Sequence, residues 1–287
     1  MVTEVSGVET KSNEIALIVH CCDNYALLYK GFEFFFSKYW DINIKCNYYF
    51  ATEEKDITIK GFKNIHSGKG EWADRLTYLL KEKITEPYII YFQEDMWLKK
   101  KTNPRFFDRL FEIAVSNKWQ QLKLHSSNIY TTVPTGIFIE GFNIAKVDNR
   151  KSDFLMSHQV TLWKKDFFLS QLFKKEHPWR NERRGTKRLK KLNPDIFQID
   201  YFAENGHAEI NENDHPVLRS EYRTISVNGI LNSNVEGYIS ELKKEGGMLQ
   251  EYALKLEHNY LNQLTHDGKP RPRKTDIFKR TKNWLNQ

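Results

Sequence analysis

The sequence predicts an α/β fold in which a mostly parallel central sheet is flanked by helices and followed by a helical C-terminal extension. Short apolar runs of strand length alternate with segments whose apolar residues recur at helical spacing. The run Tyr88–Phe92 is apolar without alternation, which is typical of a strand covered on both faces. A hydrophobic fraction of 40% and an aromatic fraction of 14% indicate a folded, globular chain.

The strands and helices of the first part of the chain follow from short apolar runs and from helical stripes. The run over 14–20 stops at polar residues and predicts the first central strand. Apolar residues at helical spacing predict a helix over 25–40 and another over 72–83. The remaining strands of this part are expected over 42–52, 58–65 and 87–92.

The later elements are predicted in the same way. Helices are expected over 106–115, 163–173, 235–244 and 248–264. Strands are expected over 120–124, 158–162 and 196–202, with a hairpin-like stretch over 136–144 and an irregular, extended stretch over 220–231. The last twenty residues read as a basic tail. We therefore expect two domains, 1–232 and 233–287.

Composition and motifs exclude several protein classes. No apolar stretch approaches the roughly 20 residues that span a bilayer, and the N-terminus is polar, so we expect a cytoplasmic protein. Cys21, Cys22 and Cys46 form neither a CxxC pair nor a disulfide framework. The glycine patterns of dinucleotide-binding and P-loop folds are absent, which disfavours dehydrogenases and P-loop NTPases.

The net charge of +7 is concentrated in two segments. Residues 174–191 carry net +7 and residues 267–287 carry net +5, so the rest of the chain is net negative. Such segments favour an anionic partner, which could be a nucleotide, a nucleic acid or an acidic lipid. A solvated basic face that aids solubility is the commoner explanation for any single charged segment.

Two adjacent carboxylates, Glu94 and Asp95, directly follow the predicted buried strand. Ligands of open α/β sheets bind at the carboxyl ends of strands, and carboxylates placed there can hold a divalent cation that neutralises a diphosphate. Alternatively, these residues begin a solvated loop and pair with nearby lysines such as Lys99. The pattern thus predicts a site without identifying it.

Several motifs in a consistent order resemble those of bacterial glycosyltransferases of the GT-A type, especially those associated with capsule or lipopolysaccharide synthesis. The motifs lie at 20–24, 70–76, 91–96, 157–168 and 177–185, and the resemblance covers roughly residues 14 to 205. It implies a GT-A-like, Rossmann-like domain that binds a nucleotide-sugar donor across the strand ends.

The resemblance implies roles for residues on the donor side. Cys21, Asp23 and Asn24 would lie under the base and ribose, and Asp74 and Arg75 near the ribose or diphosphate. Asp74 is also explained as a carboxylate at a helix start, where the dipole favours it, and Arg75 as a surface ion-pair partner.

The family's metal motif usually has two aspartates flanking one residue, and here it reads Gln93-Glu94-Asp95. The resemblance implies that Asp95 is the metal ligand, with Glu94 as a second ligand. Mn²⁺ or Mg²⁺ would suit these oxygen ligands and a diphosphate. Gln93 at the first aspartate position leaves weaker metal binding or metal-independent catalysis open.

On the acceptor side, the resemblance places the catalytic base of inverting relatives at Glu182. We expect neighbouring arginines such as Arg183 to lower its pKa. Trp179 would stack on a sugar face and His158 would be a polar site residue. The alternatives are an ordinary ion pair for Glu182, a packing role for Trp179 and a structural role for His158.

The resulting hypothesis is a glycosyltransferase that moves a sugar to a hydroxyl of a saccharide or lipid-linked acceptor. The basic tail would let it associate peripherally with an anionic membrane, at the inner face. The alternative is a non-catalytic protein that binds nucleotides or nucleic acid through its basic segments. No recognised nucleic-acid motif is present, which disfavours nucleic acid as a partner.

Overall fold

The computed structural model describes residues 14–125, 127–203 and 219–271. The chain divides into two compact units, Met1–Thr224 and Ile225–Gln287. The predicted domain boundary lies at residue 232, whereas this division falls before a short hairpin that precedes the C-terminal helices. Most of the predicted basic tail lies outside the described residues.

The described part of the first unit contains a sheet of short strands, most of them closely matching apolar runs. The strands are β1 Ile15–His20, β2 Asn47–Thr52, β3 Lys63–His66, β4 Tyr88–Phe92, β5 Met96–Lys100, β6 Gln121–His125, β7 Thr132–Ile139, β8 Phe142–Val147, β9 Thr161–Lys164, β10 Ile196–Ala203 and β11 Ser220–Thr224.

Helices cover this sheet. They are α1 Tyr29–Tyr39, α2 Trp72–Tyr78, α3 Pro104–Ser116, α4 Lys165–Gln171 and α5 Pro178–Leu192. A 3-10 segment, Asp23–Leu28, leads into α1, and a π-turn, Leu79–Lys83, extends α2. Asn103 caps α3 by accepting a hydrogen bond from the Arg105 amide, with a proline in the first turn.

The α/β architecture with helices on both sides of a central sheet is confirmed, and the sheet is mixed. The strand order is β3-β2-β1-β4-β9-β6-β10-β11-β5, with β8 beside β10 and β7 beside β8. The first four strands of this order are parallel. Strand β9 runs antiparallel to both β4 and β6, so it begins at the edge where β4 ends. This reversal brings the residues before β9 to the carboxyl edge of the parallel strands.

The two faces of the sheet have different cores, because neighbouring strand residues point to opposite sides. One face packs against α2, α4 and α5 through residues such as Tyr91, Trp163 and Phe168. The other face is aromatic: Phe92 contacts Phe36 of α1 edge-on. Burying each such side chain contributes about 1.5–3 kcal/mol, so both layers stabilise the sheet.

The second unit contains a hairpin and two helices. The hairpin joins β12 Ser226–Val227 to β13 Ile230–Leu231 through Asn228 and Gly229, which both have positive φ, as a two-residue hairpin loop requires. Helices α6 Val235–Glu245 and α7 Gly247–Leu261 follow, close to the predicted helices. Within the described residues, no helix is long and apolar enough to cross a membrane.

Two local predictions were wrong. The segment 220–231, expected to be irregular, forms β11 and the hairpin. Trp163 and Lys164, expected in a helix, belong to β9, because their pairing with β4 and β6 outweighs local helical spacing. The basic segment after Lys174, for which no strand or helix was predicted, contains α5, whose buried positions include just one large apolar residue, Leu189.

Candidate functional site

The carboxyl ends of β1, β2 and β4 meet at one edge of the sheet, because these strands are parallel neighbours. This edge is the usual ligand position in α/β sheets. The turn after β1 carries Cys21, Cys22 and Asp23, and the turn after β4 carries Glu94 and Asp95. The structure therefore brings together two motifs that are far apart in the sequence.

Asp23 organises the loop that follows β2. Its carboxylate accepts hydrogen bonds from the amides of Glu53 (3.0 Å), Glu54 (3.0 Å) and Lys55 (3.1 Å). In return, the Asp23 amide donates to Glu53 Oε2 at 2.9 Å. These reciprocal bonds hold the two loops against each other. The predicted contact of Asp23 with ribose stays a prediction.

Arg75 of α2 provides a buried positive charge beneath the turn after β1. Its Nη1 donates to the carbonyl of Cys21 at 2.9 Å and lies 3.4 Å from Glu53 Oε1. Arg75 Nε is likewise buried, and no described residue accepts a hydrogen bond from it. Arg75 is thus no surface residue, which excludes the surface ion-pair alternative.

Glu94 is buried at the end of β4, and its Oε1 accepts a hydrogen bond from the Cys22 amide at 3.1 Å. Burial, together with the neighbouring charge of Asp95, raises the pKa of Glu94 to about 8. Asp95 is half-buried. The two carboxylates also raise the pKa of the Tyr25 hydroxyl, in addition to the effect of its own burial.

The residues of this edge offer few ligands to a metal ion. Nowhere in the described ranges do three or more His, Cys, Asp or Glu side chains form a metal-binding group. Mg²⁺ is often held by one or two carboxylates together with substrate phosphates and water. Asp95 and Glu94 fit that limited role, in which a diphosphate completes the coordination.

Aromatic and imidazole rings connect this edge to the segment before β9. The ring of Trp72 lies 6.0 Å from that of His20 and 4.2 Å from that of His158, measured between centroids. The Trp72 indole donates to the Tyr91 hydroxyl at 3.2 Å. Burial lowers the pKa of both His20 and His158, the latter to about 3, so both imidazoles are neutral at pH 7.

Glu182 projects from α5 towards this ring cluster. Its Oε1 accepts a hydrogen bond from the His158 amide at 2.9 Å, which fixes its position beside β9. Burial raises the pKa of Glu182, while the His158 amide and the charge of Lys123 oppose that shift. The structure thus brings together His158 and Glu182, which the sequence assigned to the acceptor side separately.

The expectation that arginines lower the pKa of Glu182 was wrong. The α5 helix turns Arg183 and Arg184 to the surface, away from the buried side on which Glu182 lies. The carboxylate that pairs with basic residues of α5 is Glu176, which binds Arg188 at 3.1 Å and lies 3.7 Å from Arg184.

Lys123 is a candidate residue that the sequence motifs do not indicate. It is fully buried on β6, where its Nζ donates to the Phe154 carbonyl at 3.2 Å and lies 4.8 Å from the centre of the Tyr130 ring. Burial lowers its pKa to about 7, and the charge of Glu182 opposes this shift. The sequence feature that could have identified Lys123 is its position between two leucines inside a predicted strand.

The other predicted residues do not enter this network through their side chains. Asn24 is exposed, and Trp179 is 60% exposed on α5. Asp74 is half-buried and accepts a hydrogen bond from the Lys175 amide at 3.2 Å. Cys21 contributes its carbonyl, since its buried thiol donates to the carbonyl of Val19. Their proposed ligand contacts stay predictions.

No family model matches the chain, and no curated protein matches its sequence. Among solved structures, the chain is similar to S. aureus TarS 1–349, with 10% identity and a TM-score of 0.46 over 95% of this chain and 78% of that chain. A second S. aureus TarS structure has 10% identity and a TM-score of 0.45 over 87% of this chain and 43% of that chain. These values are too low to establish a family, so functional assignment depends on the site.

Proposed function

We propose that the protein is a glycosyltransferase that moves a sugar from a nucleotide diphosphate to a hydroxyl of a saccharide or lipid-linked acceptor. The observation that carries this proposal is the contact network between the two halves of the site. It runs from the end of β1 through Trp72 and His158 to Glu182. Charged groups for a diphosphate and a carboxylate for an acceptor hydroxyl thus belong to one connected region.

The donor would bind across the ends of β1 and β4. Arg75 supplies positive charge for the diphosphate from a fixed position, because it is held by the Cys21 carbonyl and Glu53. Cys21, Asp23 and Asn24 would face the base and ribose. A site whose charges are already held in place loses less conformational entropy when the ligand binds.

A divalent cation would be held by Asp95, with Glu94 as the second carboxylate. Bound there, Mg²⁺ or Mn²⁺ would neutralise charge that develops on the leaving diphosphate. Because the pKa of Glu94 is about 8, its carboxyl is largely protonated at neutral pH without a cation. Cation binding would therefore release a proton from Glu94, which calorimetry in buffers of different ionisation enthalpy can detect.

Glu182 would take the proton of the acceptor hydroxyl. As the oxygen bonds to the sugar carbon, the bond from that carbon to the diphosphate breaks and the nucleoside diphosphate leaves with the electron pair. A raised pKa makes Glu182 a stronger base, while Lys123 and the His158 amide favour its ionised form. The hydrogen bond to the His158 amide orients the carboxylate for this step.

The test is thermal stabilisation by a panel of nucleoside diphosphates and nucleotide sugars, with Mn²⁺ or with a chelator. We expect one base to raise the melting temperature selectively with metal, and Asp95→Asn to remove most of that shift. The matched control is Glu82→Gln, which neutralises an exposed carboxylate away from the site.

The alternative is a binding protein without catalysis. A selective nucleotide shift without sugar release or transfer from any donor, under conditions in which the site is saturated, would favour that alternative. Absence of a shift with every nucleotide would contradict the proposed donor site. A metal-independent shift would contradict the cation site and leave the rest of the proposal intact.

A further inference from the structure

Helix α5 has two chemically different faces. Its inner face is closely packed: a Cβ added to Gly185 would lie 2.6 Å from Met156 Cγ, so the helix sits directly on the segment before β9. Its outer face carries the exposed residues Trp179, Arg183, Arg184, Lys187 and Lys191. Four of these recur at intervals of four residues and therefore form one stripe along the helix.

Several cations of this region lack a carboxylate partner. Arg184 and Arg188 interact with Glu176, and Lys190 pairs with Asp153 at 3.1 Å. In contrast, no described residue forms an ion pair with any of four exposed side chains. These side chains are Lys174, Arg183, Lys187 and Lys191.

Exposed apolar side chains lie beside these unpaired cations. Phe173, which precedes α5, is 47% exposed, and the Arg188 guanidinium lies 4.0 Å from the centre of its ring. Phe154 is 55% exposed, and the Asp153–Lys190 ion pair links its loop to the helix. Trp179 and Leu192, near the two ends of α5, are 60% and 59% exposed.

We propose that this face of α5 docks the protein on an anionic lipid bilayer. We name it the α5 basic face and define it as Trp179, Arg183, Lys187 and Lys191 with the flanking Phe173, Lys174, Phe154 and Leu192. Cations attract acidic headgroups, while exposed aromatic and aliphatic side chains enter the boundary between headgroups and acyl chains. Trp suits this boundary because its ring is both apolar and polar.

The composition of the face favours a bilayer over a nucleic acid. Aromatic rings can stack on bases and cations can bind phosphates, so Trp179 and Arg183 fit either partner. Leu192 is an aliphatic side chain that cannot stack on a base, yet it is exposed next to Lys191. Insertion into lipid gives that side chain an apolar environment.

Docking has a consequence for the acceptor, and this consequence rests on the proposed function. Glu182 lies on the same helix as the α5 basic face, three residues after Trp179. A bilayer at this face would therefore lie across α5 from Glu182, about one helix thickness away. The geometry favours an acceptor that is itself carried by a lipid over a freely diffusing saccharide.

The test is co-sedimentation of the full chain with vesicles. Vesicles of phosphatidylcholine mixed with phosphatidylglycerol are compared with vesicles of pure phosphatidylcholine at low salt. We expect binding to the mixed vesicles only. The triple variant Arg183→Gln, Lys187→Gln, Lys191→Gln should lower the partition coefficient ~100-fold, since each basic residue near an anionic surface contributes about fivefold.

The matched control is Lys60→Gln, Lys63→Gln, Lys81→Gln, which removes the same charge from exposed positions away from α5. Its partition coefficient should stay within a few-fold of that of the natural protein. Thermal melting of each variant verifies folding. A second variant, Phe173→Ser, should weaken binding to the mixed vesicles several-fold without a change in charge.

Equal losses in the two triple variants, or no loss in the α5 variant, would overturn the proposal. The proposal would also be overturned if an oligonucleotide bound more tightly than the mixed vesicles and if only the α5 variant lost that binding. That result would identify nucleic acid as the partner. The nucleotide-induced thermal shift should be the same in all these variants. Failure of docking is therefore distinguishable from failure of the proposed donor site.

Discussion

The proposed donor and acceptor sides of the candidate site hold buried charge in opposite ways. On the donor side, Asp23 receives three backbone amides, and Arg75 is held by a carbonyl and a carboxylate. On the acceptor side, Lys123 and Glu182 are largely buried with few hydrogen bonds, and burial shifts both pKa values towards neutrality. The first arrangement suits binding of a fixed anion, whereas the second suits proton transfer.

The largest effect is expected for the rate of sugar transfer when Glu182, on the proposed acceptor side, is replaced. Glu182→Gln keeps the shape and the hydrogen bond to the His158 amide but removes the base, so kcat for sugar transfer should fall about 100- to 10,000-fold. Nucleotide binding, measured by calorimetry, should stay unchanged. Asp166→Asn is the control for an exposed carboxylate. An active Glu182→Gln enzyme would assign the base elsewhere.

The next effect concerns His125, a buried imidazole at the end of β6, the strand that carries Lys123. Burial lowers the pKa of His125 to about 3, so in acid the unfolded chain binds a proton that the folded chain does not. Stability from this residue is therefore present above pH 6.5 and lost as pH falls towards 3, by up to about 5 kcal/mol.

Urea unfolding of the natural protein and His125→Gln between these pH values measures that contribution. The variant should have a flatter dependence of unfolding free energy on pH. His258→Gln, which removes an exposed imidazole in the second unit, should leave the dependence unchanged. Parallel curves for the natural protein and His125→Gln would show that His125 is accessible to protons in the folded state.

A smaller effect, on stability and nucleotide affinity, is expected when Asp23 on the proposed donor side is replaced. Asp23→Ala leaves three amides without their acceptor, and we expect a loss of about 1–3 kcal/mol in unfolding free energy. Nucleotide affinity should fall as well, because the two loops lose their connection. Chemical denaturation and calorimetry measure these quantities. Asp56→Ala, at an exposed position of the same loop, should be close to neutral.

The smallest expected effect is a gain in stability. Lys123→Met removes a buried amine whose pKa is lowered to about 7. At pH 7 and below, the variant therefore no longer carries the free-energy cost of burying the charged amine. We expect about 1–2 kcal/mol more stability together with a slower sugar transfer whose pH profile is shifted, since Glu182 loses a neighbouring charge. A variant that is both less stable and fully active would make Lys123 purely structural.

Much of the donor side could be predicted from local patterns. An apolar run that ends in Glu94 and Asp95 places carboxylates at a strand end, and the run over 14–20 places Asp23 likewise. Lys123 could not be found in this way. Its strand alternates polar residues with leucine, which is typical of a half-exposed strand, but α5 and the segment before β9 cover the polar side.

The sequence by itself determined the class of fold, most strands and the position of the acidic pair, because hydrophobic periodicity and strand ends are local properties. Tertiary structure alone decided the direction of β9, the burial of Lys123 and the orientation of α5. The bonds from Cys22 to Glu94 and from His158 to Glu182 join residues 72 and 24 positions apart. Such pairings depend on which strands become neighbours, and local spacing carries no information about that choice.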